Sequence, residues 1–254
     1  GGSDANNGLS TGTAFATLQK AIDMVGCSST TINVAAGTYT EEGIEIPDGT
    51  SNLTITGAGM GSTIFDGTQS DRFLLINNSG DSDASGNSSG ITISDMTIKE
   101  YRKTSGGGAA IKIEENITTV NLNNIKFESN QTTGNNLGHG GAVLIEDGCT
   151  VTLTGCTFES NDAGYSSSSH FTKGGGLYSW GENANNSTLT LNSCIFSNND
   201  ANNYGGGMGQ QYTNLTMNNC LFYENNSDDY GGALNGYYGT IEAKNITFSD
   251  NSST

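Results

Sequence analysis

"CIFSNNDANNYGGGM" (residues 194–208) and "CLFYENNSDDYGGAL" (residues 220–234) are two passes through one pattern. Each runs Cys-x-Phe, then an Asn three residues after the Phe, then Tyr-Gly-Gly. Aligned on the Phe, five frames appear: "VNLNNIKFESN" ending at Asn130, "VTLTGCTFESN" at Asn161, "LTLNSCIFSNN" at Asn199, "LTMNNCLFYEN" at Asn225 and "IEAKNITFSDN" at Asn251. An imperfect earlier frame, "ITISDMTIKEY", carries Ile98 in place of Phe and ends at Tyr101. The last two intervals between Phe residues are 26 residues each, and earlier intervals of 29, 31 and 38 contain insertions.

Within a frame the apolar residues alternate, as in Val151-x-Leu153, break, and resume as Cys156-x-Phe158. Alternation marks a strand with one buried face. The break falls at Asp95, Asn124, Gly155, Ser193, Asn219 and Asn245, residue types that accept tight turns. A third short apolar stretch follows Gly-Gly ("GGAVLI", "GGGLYS", "GGGMGQ", "GGALNG"). Three short strands per frame of roughly 26 residues describe one coil of a parallel β-helix, which buries its inner face only by stacking on its neighbours. The expected fold is an all-β, right-handed parallel β-helix of about eight coils.

Stacked coils place equivalent residues about 4.8 Å apart. Phe127, Phe158, Phe196, Phe222 and Phe248 then form an interior ladder, each ring contributing about 1.5–3 kcal/mol by burial. Asn130, Asn161, Asn199, Asn225 and Asn251 sit at a turn where each amide can bond the Asn above and below. The Gly pairs supply backbone angles that a side chain forbids. Cys156, Cys194 and Cys220 share the inward position of Met96, Ile125 and Ile246 and read as small buried hydrophobes. A Cys194–Cys220 disulfide is sterically conceivable at that spacing. Cys27 and Cys149 fall outside the ladder.

Composition agrees with a narrow, long core: Gly is 37 of 254 residues and Pro is 1. The formal net charge is −17, from 9 basic and 26 acidic residues. That balance argues against nucleic acid, whose phosphates need clustered Lys and Arg, and against anionic membranes and polyanions. No stretch approaches the roughly 18 apolar residues of a membrane span. The polar start "GGSDANNGLS" suits a secreted chain whose targeting segment has been removed. The expected location is therefore extracellular or at the cell surface.

The whole of residues 1–254 reads as one domain. In the N-terminal region (1–31), "AFATLQKAIDMV" (14–25) places Phe15, Leu18, Ala21, Ile22 and Val25 on one helical face, an amphipathic cap over the open end of the solenoid. Residues 32–90 carry irregular first coils, with a polar loop at 77–90 whose Asp81 and Asp83 lack a full calcium-binding loop. Residues 91–254 carry the repeats. The chain ends part-way through a coil, at "FSDNSST", so further coils or an anchoring module are expected beyond it.

The run "GSDANNGLSTGTAFATLQKAI…TINVAAGTYTE…LTITGAG…STIFDG" resembles the opening of secreted bacterial right-handed parallel β-helix proteins. The pairs Gly140-Gly141-Ala142-Val143 after Phe127/Asn130, and Gly231-Gly232-Ala233-Leu234 after Phe222/Asn225, resemble the repeats of polymorphic outer membrane proteins and related surface adhesins. The resemblance implies a secreted surface passenger used for adhesion.

Parallel β-helices also host polysaccharide lyases and glycoside hydrolases. A lyase of this shape needs an Arg or Lys base; Arg72 is one of two arginines, and "YRKTSGG" sets Arg102 and Lys103 in an expected exposed turn. Hydrolases need two carboxylates about 5–10 Å apart. "GHG" at 138–140 is similar to the histidine motif of polygalacturonases, but that family's companion motifs are missing. The Asp228-Asp229 pair lies three coils beyond His139, and His139 precedes a Gly-Gly-Ala turn that the repeat already explains. No catalytic residue is assigned.

Binding is better supported. Insertions such as "DAGYSSSSHFTK" (162–173) and "SWGENANN" (179–186) grow from a rigid scaffold, where function tends to reside. They carry Tyr165, His170, Phe171 and the sole Trp, Trp180. Tyr204 and Tyr230 are equivalent residues before Gly-Gly, and Tyr212 and Tyr238 are equivalent four residues after Met208 and Leu234. Stacked tyrosines on an outer face form a platform for sugar rings, or else simply stabilise the sheet by aromatic pairing. The expected partners are glycans or a host or neighbouring cell surface, without catalysis; a polysaccharide lyase or hydrolase, or a structural stalk, are the alternatives. No cofactor is expected, and structural calcium at turn acids such as Asp162, Asp200, Asp228, Asp229 and Asp250 is the one metal considered. The Asn-x-Ser/Thr triplets at Asn52, Asn116, Asn214 and Asn245 are expected by chance in so Asn- and Thr-rich a chain.

Overall fold

A computed structural model of the chain describes residues 2–25, 29–78, 87–133, 138–164, 172–182 and 186–254. The chain winds into a parallel β-solenoid of seven complete turns and part of an eighth. Each turn lays one strand on each of three faces. The first face runs from Thr30–Asn33 and Leu53–Thr56 through the opening halves of Ser89–Lys99 and Thr118–Glu128, then Thr150–Thr154 and Ser187–Asn192, to the closing halves of Met208–Asn218 and Leu234–Lys244. The second includes Gly37–Tyr39, Thr63–Asp66, Thr157–Glu159, Ile195–Ser197, Leu221–Tyr223 and Thr247–Ser249. The third includes Ile44–Ile46, Leu74–Ile76, Ile111–Ile113, Val143–Ile145 and Leu177–Trp180, then the opening halves of Met208–Asn218 and Leu234–Lys244. A narrow ladder of two-residue strands, Arg102–Lys103 to Ser252–Ser253, lines the corner after the second face. Arg102 and Lys103 thus pair in parallel with Gln131–Thr132 instead of forming an exposed turn, and Lys103 is tied to Asp71.

The corners explain the sequence breaks. Asp95, Asn124, Gly155, Ser193, Asn219 and Asn245 all adopt left-handed φ between 51° and 64°, the conformation that Gly, Asn and Asp reach most readily. At Gly140 a Cβ would stand 2.1 Å from the Val143 carbonyl oxygen, so no side chain fits that bend.

Inside, Phe127, Phe158, Phe196 and Phe222 are fully buried, with successive ring centroids 4.6–4.7 Å apart. Phe248 continues the stack at 5.1 Å but is 53% exposed on the last turn. At the other end Ile98 interrupts the ladder, and the aromatic contacts turn aside from Phe65 through Phe73 to Tyr101. Tyr101 stands where later frames have Asn, and its hydroxyl donates to the Glu41 carbonyl at 2.7 Å. Cys156, Cys194 and Cys220 stack one per turn as free, buried thiols, so the conceivable Cys194–Cys220 disulfide is absent. Cys149 is likewise free and buried; Cys27, Asp81 and Asp83 lie outside the described residues.

The Asn column is a continuous amide ladder. Each Asn Nδ2 donates to the backbone carbonyl of a residue in the previous turn, as Asn199 does to Phe158 at 3.0 Å. In Asn130, Asn161, Asn199 and Asn225 it also donates to the Oδ1 of the next Asn, as Asn199 does to Asn225 at 2.9 Å. That Oδ1 accepts a second bond, from the backbone N–H of Asn199 at 3.1 Å. Asn130, Asn161, Asn199 and Asn225 are completely buried, and for Asn161, Asn199 and Asn225 this arrangement uses all the hydrogen-bonding capacity of an amide.

The N-terminal helix is shorter than the apolar spacing predicts, Leu18–Asp23 rather than 14–25. Thr17 is extended and caps it, accepting from the Lys20 N–H at 3.2 Å, while the Glu41 carboxylate takes the Leu18 N–H at 2.8 Å. Leu18 and Ile22 join the core, whereas Phe15 precedes the helix and packs over Gly8. The edge of the first turn is closed by one side chain. Gln19 Nε2 donates to the Glu45 carbonyl at 3.1 Å, and its Oε1 accepts from the Glu45 N–H at 2.7 Å. Gln19 thereby mimics the next strand. Among the described residues no helix is long and apolar enough to cross a membrane.

Candidate functional site: an aromatic face on the third sheet

Alternation on the third face points Val143, Leu177, Met208 and Leu234 inward. Leu144, Tyr178 and Trp180, Gly209 and Gln211, and Asn235 and Tyr237 take the outward positions, in register between turns. Beside them runs a second column, formed by the residue before each Gly-Gly. Lys173 bridges to Tyr204 and Tyr204 to Tyr230 in parallel register, and His139 precedes Gly140-Gly141 in the turn before Lys173. At the far corner of the same face stand Tyr212 and Tyr238, both with left-handed φ (47° and 56°). Such φ is a true outlier for a bulky side chain.

Five of the sequence-predicted residues therefore fall on one surface. Tyr204 and Tyr230 stack at 5.7 Å with 9° between planes, and Tyr212 and Tyr238 at 4.7 Å with 7°. Trp180 is half-buried one turn before, in register with Gln211. Tyr204 and Tyr212 are half-buried, and Tyr230, Tyr237 and Tyr238 on the final turn are more exposed. Tyr237 meets Tyr238 edge-on at 4.4 Å. Tyr165, His170 and Phe171 lie outside the described residues.

Residues that the sequence reading did not assign complete the face. Lys173 Nζ donates to Tyr178 Oη at 3.3 Å and to Gln211 Oε1 at 3.0 Å, and the Tyr178 hydroxyl donates to the same Gln211 oxygen at 3.3 Å. The ammonium lies 5.5 Å from the Tyr178 ring centroid and 5.8 Å from that of Tyr204, within cation–π range. The His139 ring packs on Tyr178 at 4.9 Å. Burial, with Lys173 nearby, lowers the His139 pKa to about 4, so its imidazole is neutral at physiological pH. Burial alone lowers the Lys173 pKa. At Gly209 a Cβ would press on the Tyr178 ring at 3.0 Å, so the glycine leaves room for this cluster. The alignment that exposes Tyr204 and Tyr230 also contains Lys173 and His139; the Gly-Gly frame was the available signal.

The carboxylates are distributed otherwise. Lys126 bridges Glu128 and Glu159, each at 2.9 Å, and Lys112 bridges Glu114 and Glu146 at 3.2 and 3.0 Å. Arg72 is buried against the carbonyls of Gly106, Gly107 and Gly108. A shallow polar cleft of about 260 Å³ at the corner ladder is lined by residues including Gln69, Glu100, Arg102, Gln131 and Asp162. There burial raises the Asp162 pKa, with like charge from Asp200 and Asp228 adding to it, although Gln131 donates to its Oδ2 at 2.5 Å. Asp229 accepts from the Asn203 amide at 2.7 Å, and no carboxylate contacts His139 among the described residues. Among those residues no group of three or more His, Cys, Asp or Glu converges to hold a metal ion.

No protein-family model and no curated protein matches the chain. Similar solved structures are all remote. The Geobacillus virus E2 ORF18 chain is 15% identical over 91% of this chain, with a TM-score of 0.41. The present chain spans 57% of that viral chain's length. A pectin methylesterase in complex with a hexasaccharide is 12% identical, with 96% of this chain and 89% of the other covered and a TM-score of 0.35. The catalytic domain of a GH87 α-1,3-glucanase in complex with nigerose is 11% identical, with 87% and 60% covered and a TM-score of 0.25.

Proposed function

We propose that this protein is an extracellular or cell-surface β-solenoid that binds glycans, on polysaccharide or on a neighbouring cell, through the aromatic face of its third sheet and without catalysis. One observation carries the reading: Trp180, Tyr204, Tyr212, Tyr230 and Tyr238 gather on one outer face, with two pairs of near-parallel, stacked tyrosines repeating from one turn to the next. Flat aromatic surfaces suit the apolar faces of pyranose rings, and the amides of Gln211 and Asn235 supply hydroxyl partners nearby. Interior stacking of Phe already holds the turns together, so half-buried Tyr212 and exposed Tyr238, both held at an unfavourable φ, are costly as mere scaffold.

A hydrolase or lyase is the second reading, favoured by the polar cleft that combines Glu100, Arg102 and Asp162. Affinity electrophoresis through gels carrying a panel of polysaccharides separates the two. The binding reading expects retardation without chain shortening, lost in Tyr212→Ala/Tyr238→Ala. Shortening of any polysaccharide, removed by Asp162→Asn, establishes an enzyme instead.

A further inference from the structure

Lys173 sits in an aromatic and amide environment in a chain of net charge −17. Lys99, Lys103, Lys112 and Lys126 each hold at least one carboxylate. Lys173 is half-buried, yet its two hydrogen-bond acceptors, Tyr178 Oη and Gln211 Oε1, are both neutral. Among the described residues no acidic group pairs with it, and burial lowers its pKa. Residues 134–137 and 165–171 contain no Asp or Glu. An ammonium has three donors, so one remains after the two contacts. Withdrawing a cation from water without a counter-charge is unfavourable, and the fold sustains this one with two oxygens and two aromatic faces.

Resting on the glycan-binding reading above, we propose that Lys173 makes the aromatic face selective for sugars bearing a carboxylate, which completes the missing ion pair while the ring stacks along Tyr204 and Tyr230. The geometry orders the parts. Lys173, Tyr204 and Tyr230 occupy one column in consecutive turns, so a saccharide laid along the solenoid axis places an acidic unit at Lys173 and neighbouring units over the tyrosines. The acidic background sets the density of charge that is tolerated. A polyanion is repelled by the net −17, whereas a glycan with scattered acidic units meets the local cation inside about one Debye length, roughly 8 Å at physiological salt. The selected class is thus a largely neutral glycan carrying isolated uronate or sialate units.

The test uses matched pairs. Glucuronoxylan, sialylated oligosaccharides and other sparsely acidic glycans are each assayed beside the same material after carbodiimide–borohydride reduction of the carboxyl to a hydroxymethyl group. The acidic member is expected to bind about tenfold or more tightly than its reduced counterpart. Lys173→Gln, its fold checked by circular dichroism, is expected to erase that preference, and Lys173→Arg to retain much of it. Equal binding of both members of every retained pair overturns the role of Lys173 and leaves the aromatic face standing; so does a preference unchanged in Lys173→Gln. Should Lys173→Gln fail to fold, the wild-type comparison of acid and reduced forms still decides. Retention of neither form of any glycan removes the aromatic-face reading itself, and this inference with it.

Discussion

Asn199→Ala is the sharpest test of what holds the turns in register. The substitution removes four hydrogen bonds: Asn199 Nδ2 to the Phe158 carbonyl and to Asn225 Oδ1, and the bonds Asn199 Oδ1 accepts from the N–H and Nδ2 of Asn161. At about 1 kcal/mol net for each, the loss is about 4 kcal/mol. Alanine leaves the Asn161 N–H and one Nδ2 hydrogen unpaired in a site with no solvent exposure, so water cannot take the vacated place without opening the corner. Asn251, on the last turn, is the internal control. It too makes four hydrogen bonds, accepting from the N–H and Nδ2 of Asn225 and donating to the Phe222 and Ser249 carbonyls, but it is only part-buried, so Asn251→Ala is expected to cost about 1–2 kcal/mol, because solvent replaces much of what is lost. Asn199→Asp keeps the acceptor but sets an anion against two acceptors, and is expected to be at least as damaging as alanine at neutral pH. Urea unfolding followed by circular dichroism reads the three variants. A loss below about 1 kcal/mol for Asn199→Ala, or one no larger than for Asn251→Ala, refutes the view that the amide ladder is a main source of cohesion.

The remaining predictions concern buried titratable groups. Burial pushes the Cys149 thiol up to about 12, and hydrogen bonding within the Cys column, with burial, does the same for Cys194; neither is expected to react with Ellman's reagent at pH 8 until the protein is unfolded, and rapid labelling of the native chain at these positions would contradict the described packing. Asp162 has its pKa raised by burial and then by Asp200 and Asp228, so ionisation destabilises the fold above that raised value, and the deficit vanishes as pH falls below the ordinary carboxylate range. Asp162→Asn, which keeps an acceptor for Gln131, is expected to raise the melting temperature at pH 7 and to match the wild type in acid. A lower melting temperature at pH 7, or a calcium-dependent stabilisation that only the wild type shows, would make Asp162 a cation ligand instead.

Much of the solenoid is readable because stacking forces identical solutions on successive turns. Phe at 127, 158, 196, 222 and 248, Asn three residues later, and the corner residues from Asp95 to Asn245 recur in a fixed frame. The frame makes their neighbours calculable without any structure. Where the repeat lapses, legibility lapses. Ile98 and Tyr101 gave no sign that aromatic contacts would turn aside through Phe73. The apolar spacing of residues 14–25 could not reveal that Thr17 starts the helix late, because the acceptor for its first N–H groups is Glu41, in a later segment. The candidate site was legible in half. Equivalent tyrosines could be paired from spacing, but the cluster of His139, Lys173, Tyr178 and Gln211 joins side chains of different type, and repetition does not announce unlike residues.

The amide ladder also bears on how long such a molecule can be. Every rung has the same direction, donor in one turn and acceptor in the next, and the last two frames are both 26 residues. A turn is therefore an interchangeable part whose upper and lower faces carry the same fittings. Excising residues 213–238 would bring turn six against the final partial turn with Phe on Phe and Asn on Asn, and duplicating them would lengthen the rod by one strand spacing, about 4.8 Å. Gene slippage in units of 78 bases would change the reach of this protein and the number of stacked tyrosines it displays, while every remaining turn kept the neighbours it is built to accept.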